Sequence, residues 1–262
     1  MKLCFNTIAC RNSGKPLLED LSEIAGTGYY RAVELWMPGV GVPDGSLVEA
    51  VQGFCLKAGW DFPVVSTYLG LMSLAMDDRE RHCELCEGVA QLARRDSFRY
   101  VRAFPGMVGQ VSSRRPDPFY YEYLVESFRK FCRILGKAGL TLLSETHRDT
   151  MADTAAGARR FIRDVGEDNH GLILQLGIVP RWSSMDAVGF YRSLAPYIKH
   201  MHLHPYPVLE HEDNPEHYGK LLPLLGREKP PFYISIENCD GHVPPLETAR
   251  CGAELIRKTV GG

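Results

Sequence analysis

The chain has 262 residues, with 30 basic against 32 acidic side chains and a formal net charge of −2. A near-neutral chain without a long basic run lacks the electrostatic footprint of a non-specific nucleic-acid or anionic-membrane binder. Its 45% hydrophobic residues, with Gly 25 and Pro 17, fit an ordinary globular chain and exclude a disordered or fibrous one.

In chain order the hydrophobic pattern alternates between two periods. Lys2–Ile8 reads as a strand and Ala9–Gly14 as a loop. Leu17, Leu18, Leu21, Ile24 and Ala25 then recur at helical spacing and stop at Gly26. Arg31–Trp36 reads as a strand, Leu47–Ala58 as a helix closed by Gly59, Phe62–Leu69 as a strand and Asp77–Arg95 as a long helix. Tyr100–Phe104 is a strand before Pro105, Tyr120–Ala138 a helix, Leu140–Glu145 a strand and Asp153–Val165 a helix. Leu172–Leu176, Ile198–Leu203 and Phe232–Glu237 complete the strands. Met185–Ala195, Glu216–Leu225 and Leu246–Thr259 complete the helices.

Eight strands and eight helices in alternation predict a parallel sheet with crossover helices. Eight such units in about 250 residues predict a closed (β/α)8 TIM barrel forming a single domain over residues 1–262. An open doubly wound sheet is the alternative, but no Gly-x-Gly-x-x-Gly follows any strand. No stretch approaches the roughly 18 apolar residues of a membrane span. The N-terminal apolar run is interrupted by Asn6 and falls short of a secretory leader. Eight cysteines without framework spacing read as reduced thiols, which predicts a cytoplasmic protein. The Cys83/Cys86 pair has CxxC spacing but lies inside a predicted helix without a second ligand pair, so it reads as a helical thiol pair.

Barrel strands are apolar except where they serve the active site, which lies at their C-terminal ends. Five ends carry polar groups: Glu34, Glu145 with His147, Gln175, His200 with His202 and His204, and Glu237. Glu145, His202 and Glu237, from strands five, seven and eight, can converge on one divalent cation. Two carboxylates and an imidazole suit Mn2+, Mg2+, Co2+, Fe2+ or Zn2+ with positions left open for substrate.

The chain also resembles the xylose isomerase-like TIM barrels, a family that includes sugar isomerases, sugar epimerases and endonuclease IV. The segments that carry the resemblance are Gly28–Leu35, Arg99–Gly106, Leu143–His147, Ile198–Leu203 and Ile234–Glu237. It implies a metal, Mn2+ first among the candidates, held by Glu, Asp, His and Glu. Glu145, His202 and Glu237 match three of these. The sixth strand departs, with Gln175 in place of the aspartate and Ile178 in place of a histidine. An amide in place of a carboxylate weakens the ligand set, so the expectation is a bound metal with Gln175 as a weak fourth ligand. A different metal or a lost metal is the alternative.

The resemblance implies an isomerase or epimerase that acts on a keto sugar or polyol through an enediolate, with Glu145 and Glu237 as the acid–base pair. Glu34, Trp36, Tyr68, Arg102, His147, Arg181, Trp182 and His204 are the expected substrate contacts. The aromatic members supply walls, the arginines an anion site and the histidines proton shuttles or hydroxyl contacts. A keto-polyol lyase or dehydratase is the alternative on the same intermediate. A catalytically silent binding or partner subunit is the reading if Gln175 abolishes metal binding. The expected partner is a small sugar or polyol, not nucleic acid or membrane. Active-site closure would come from the short loops, from Pro205–Asn214 or from a second subunit, which leaves a homo-oligomer open.

Overall fold

The computed structural model describes residues 2–39, 41, 44–93, 98–108, 111–176, 185–205 and 215–260, with nothing said of the side chains at 76 and 215–217. The strands are β1 Lys2–Asn6, β2 Ala32–Trp36, β3 Asp61–Leu69, β4 Tyr100–Ala103, β5 Thr141–Glu145, β6 His170–Leu174, β7 Ile198–Leu203 and β8 Tyr233–Ile236. They pair in sequence order and close β8 onto β1, every pair parallel. The helices are α1 Leu17–Gly26, α2 Gly45–Ala58, α3 Met76–Leu92, α4 Pro118–Gly136, α5 Ala155–Val165, α6 Ala187–Leu194, α7 Pro215–Glu228 and α8 Pro245–Val260. The result is a single (β/α)8 barrel.

Local signals start and stop these elements. Asp44, Asp117, Thr154 and Asp186 accept hydrogen bonds from backbone N–H groups at the starts of α2, α4, α5 and α6. Gly59 and Gly166 end α2 and α5 in the left-handed conformation. At Gly70 (φ 85°) a Cβ would lie 2.1 Å from the Phe104 carbonyl oxygen, so only glycine lets the loop after β3 pass against β4.

Alternate strand residues separate two environments. Outward, Phe5, Val33, Leu35, Val65, Val101, Leu142, Leu172, Met201 and Ile234 join Phe128, Phe131 and Leu135 of α4, Phe161 of α5 and Phe190 of α6 in one continuous buried core. Inward, Cys4, Ala32, Val64, Leu143 and Ile173 are buried along the strands. Nearer the strand C-termini the inward positions turn polar: Asn6, Glu34, Ser66, Arg102, Glu145, His202 and Glu237 are all buried.

Three expected boundaries move for identifiable reasons. The sixth strand was placed at residues 172–176, but β6 runs His170–Leu174 because it pairs from Leu142↔His170. Its ladder ends where Thr146 Oγ1 accepts the Gln175 N–H at 2.8 Å. The expected loop from Ala9 is preceded by a 3-10 turn, Thr7–Cys10, which Asn6 caps through its side chain. The third helix stops at Leu92 rather than Arg95, where Ala93 turns extended; Arg94 and Arg95 lie outside the described residues.

One buried titratable group belongs to the outer layer. His170 packs against the rings of Phe128 and Phe161, and its Nε2 lies 2.8 Å from Ser144 Oγ. Burial pushes its imidazole down to about 3, so the folded protein keeps it neutral while the unfolded chain protonates near pH 6.5. Its contribution to stability is therefore complete above pH 6.5 and lost progressively as pH falls towards 3. The difference in unfolding free energy between the native chain and His170→Phe, followed by urea titration, should shift against the native chain as pH falls from 7 to 5. A pH-independent difference would refute the neutral buried imidazole.

Candidate active site

The polar layer is assembled by register and by hydrogen bonds that continue the sheet past its formal ends. Glu237 follows β8, and its N–H still donates to Leu203 O at 3.0 Å, holding it beside β7. Thr146 N–H donates to Ile173 O at 3.0 Å and Thr146 Oγ1 to Gln175 O at 2.9 Å, tying the end of β5 to that of β6. Along β7 and one residue past its end, residues 200, 202 and 204 alternate with Met201 and Leu203, so three imidazoles enter the barrel from one segment.

His202 is the centre of the arrangement. Its Nε2 lies 3.0 Å from Glu34 Oε1, while its Nδ1 lies 3.2 Å from Glu237 Oε2 and 3.8 Å from Glu145 Oε1. Nδ1 is buried and has hydrogen-bond geometry to neither carboxylate. His200 Nε2 lies 2.9 Å from the second oxygen of Glu34, and Ser66 Oγ donates to that carboxylate as well. His204 Nε2 lies 3.1 Å from Glu237 Oε2 and 3.0 Å from the Gln175 amide nitrogen. Asn6 Nδ2 donates to Glu237 Oε1 at 3.3 Å.

Arg102, from β4, closes the ring. Its Nη1 donates to Glu145 Oε2 at 3.1 Å and lies 3.8 Å from Glu237 Oε1. Beyond it runs an aromatic row. Trp36 Nε1 donates to Tyr68 Oη at 3.2 Å, the Tyr68 ring stacks on Phe104 at 6.1 Å, and Phe104 meets His147 edge-on at 5.4 Å.

Charge sets the protonation states. Burial raises the pKa of Glu34, but His202 and His200 outweigh it and hold the carboxyl well below its usual range. Glu237 is held low against burial by His202 and His204, and Glu145 by Arg102. Burial lowers the His202 imidazole, yet Glu237 and Glu34 lift it well above 6.5, whereas burial dominates at His200 and lowers it. Neutral His200 therefore donates to Glu34.

The expected residues divide accordingly. Glu145, His202 and Glu237 come together, with one ligand atom from each lying within 4.8 Å of the others. Gln175 stands beside them with its amide nitrogen at His204. Trp36, Tyr68 and His147 share the aromatic row. Glu34 is fully buried beneath His202, where two imidazoles and a hydroxyl occupy its oxygens. Arg102 is paired with Glu145. Arg181 and Trp182, with residues 206–214, lie outside the described residues. Asn6 and Phe104 carry no expected role in the sequence, and His200 stands out there as a polar strand-end residue without one. Asn6 and His200 were detectable as polar residues within barrel strands, while Phe104 looked like any strand-end aromatic.

Residues 21–255 match the family model described as the xylose isomerase-like TIM barrel. The chain belongs to that family. A 3-dehydroshikimate dehydratase of Bacillus anthracis is 29% identical over 150 residues, 56% of this chain and 51% of that protein, so the match spans about half of the relative. Among solved structures, an L-ribulose 3-epimerase superposes with a TM-score of 0.80 at 16% identity, covering 100% of this chain and 95% of its own. The IOLI protein with a bound zinc atom superposes with a TM-score of 0.76 at 14% identity, covering 100% of this chain and 98% of its own. A sequence relative of this xylose isomerase-like barrel is thus a dehydratase, and an epimerase and a zinc-carrying barrel share its fold.

The donor set fits a divalent cation. A buried imidazole nitrogen aimed between two carboxylates, with its other nitrogen on a carboxylate, is the arrangement of a ligating histidine and its orienting acid. Removing Glu34 leaves the Nε2 groups of both His202 and His200 buried without their acceptor. Glu34→Ala should lower the unfolding free energy of the metal-free protein by about 3–5 kcal/mol in a urea titration, the cost of breaking a buried pair. A loss below about 1 kcal/mol would mean that the pair contributes no more than a surface contact.

Proposed function

We propose that the protein is a divalent-metal-dependent enzyme that removes a proton next to a carbonyl in a small keto sugar or polyol. The observation that carries this reading is the convergence of Glu145, His202 and Glu237 within 4.8 Å, with two carboxylates held as anions and a buried imidazole nitrogen that ligates once a cation displaces its proton. Glu145, His202 and Glu237 would hold the metal, with Gln175 beside them as a weak fourth ligand. Mn2+ is the first candidate, followed by Mg2+, Co2+, Fe2+ and Zn2+. When bound, such an ion polarises the substrate carbonyl and so acidifies the adjacent C–H.

The chain's own groups carry the proton. One carboxylate of the Glu145/Glu237 pair takes it from carbon as a general base, leaving a substrate enediolate and a carboxylic acid. Return of a proton to the opposite face of the carbon through the other member, which takes it up from solvent while the first acid gives its proton up, inverts the centre, which is epimerisation; return by the first acid to the neighbouring carbon is isomerisation. Arg102 keeps Glu145 ionised, while His204 and Asn6 orient Glu237. Trp36, Tyr68 and Phe104 offer apolar faces for the carbon side of a polyol, with His147 at the end of the row as a hydroxyl contact.

A second reading is supported by the dehydratase relative. In it the same enediolate expels a hydroxyl from the adjacent carbon. The acid formed in the first step supplies the proton, and water leaves.

A screen of keto sugars and keto-polyols in D2O with the Mn2+-loaded protein separates the outcomes. Deuterium incorporation without loss of water indicates epimerisation or isomerisation, and incorporation with an unsaturated product indicates the lyase. Glu145→Gln and Glu237→Gln should each slow exchange by about 10²–10⁴-fold, the usual worth of a positioned acid or base. Chelation should abolish it. Exchange that survives both substitutions would overturn the acid–base assignment, and no exchange by the loaded native protein would point to a catalytically silent subunit.

A further inference from the structure

Each of the two cage carboxylates turns one oxygen towards His202 and the other towards Arg102, and Glu237 also meets His204 and Asn6. Glu145 directs Oε1 towards His202 and Oε2 to Arg102. Glu237 directs Oε2 towards His202 and Oε1 towards Arg102. A metal on the His202 side would therefore share both ligands with a guanidinium behind them. Arg102 has little freedom to leave. It is 3% exposed, its Nη2 donates to Thr67 O at 3.3 Å, and its guanidinium carbon sits 4.6 Å from the centre of the Phe104 ring and 5.6 Å from that of Tyr68.

We infer that Arg102 is a built-in counter-cation of the cage, which keeps the site folded without metal and holds metal affinity low enough for the ion to exchange. This rests on the metal reading above and extends it to the strength of binding. Two carboxylates and one guanidinium leave the cage with a single negative charge, and Gln175, an amide, adds none. With Glu34 counted, a divalent ion on neutral His202 makes the layer neutral, where without the arginine it would be net negative.

Two effects of Arg102 on the metal oppose each other. By orienting Glu145 it favours ligation, an influence typically worth 10–100-fold for an outer partner. As a unit charge held within a few ångströms of a divalent ion, in an interior that screens poorly, it disfavours binding by more than that. The repulsion wins, so removing the charge tightens the metal. Arg102 is a positioning residue in this account and needs no contact with substrate.

The test uses Mn2+ alone, with titration calorimetry for affinity and thermal melting in chelator or Mn2+ for stability. Arg102→Met should bind Mn2+ at least about tenfold more tightly than the native chain, whereas Arg102→Lys, which keeps the charge, should stay within about threefold of it. The metal-free melting temperature of Arg102→Met should fall, and Mn2+ should raise it further than it raises that of the native protein. Gln175→Asp keeps the arginine and adds a carboxylate. It should also tighten Mn2+ about tenfold or more, which keeps the test open if Arg102→Met does not fold. Equal or weaker Mn2+ binding by a folded Arg102→Met, or unchanged affinity in Gln175→Asp, overturns the counter-cation role while leaving the metal site standing. Absence of Mn2+ binding by the native chain and all three variants overturns both.

Discussion

Burying ionised groups inside a closed barrel is the constraint on which the site depends. Glu34, Glu145, Glu237 and Arg102 are each at most 3% exposed, and an uncompensated ion at such depth costs several kcal/mol. The barrel meets this cost by alternating signs along the layer. Glu34 lies under His202, His202 lies between Glu34 and Glu237, and Arg102 bridges Glu145 towards Glu237. No member can change charge alone without stranding its neighbours, so the protonation states belong to the layer as a whole. The apolar residues beneath it and the aromatic row beyond Arg102 keep water from relieving that coupling.

The periodicities of the sequence were enough for the architecture, because every βα unit carries its own punctuation: a strand of apolar residues, a loop, and a helix closed by glycine or proline. Glu145, His202 and Glu237 were legible for a related reason. A charged residue in a strand that should be apolar has few explanations, and three at equivalent ends have fewer. The roles of Glu34 and Arg102 were not legible. Both sit at inward positions of β2 and β4, but whether an inward charge meets substrate or a neighbouring charge depends on depth along the barrel axis. Depth depends on register, and the register shift between β2 and β3 falls immediately before Glu34. The two-residue displacement of β6 has the same origin. It arises from pairing with β5 and from Thr146 capturing the Gln175 backbone, interactions between segments some 29 residues apart.

A fold shared with an epimerase and a match to a dehydratase are both compatible with the chemistry proposed for such a layer. Proton removal next to a carbonyl needs a polarising group and an ionised carboxylate, and in the proposed reading these come from β5, β7 and the end of β8. What happens to the enediolate is decided elsewhere, by whether a hydroxyl on the next carbon is aligned to leave or a second acid is aligned to return a proton. That alignment is a property of the surfaces above the layer, here Trp36, Tyr68, Phe104 and His147 together with the loops after the strands. In the proposed reading the buried charges serve the proton step and the surfaces above them select its outcome.

The replacement of a carboxylate by Gln175 fits the same logic. In a layer that already contains a guanidinium bonded to one metal-facing carboxylate, a third cage acid would improve the ion's site but leave excess negative charge whenever the ion is away. An amide removes that excess and still hydrogen-bonds His204, which in turn holds Glu237. Gln175 and Arg102 are therefore two adjustments of one quantity, the charge of the metal-free cage. Each lowers the attraction for a cation and lowers the cost of its absence. A site adjusted in this way favours a chain that folds before it acquires metal over one that needs metal to fold.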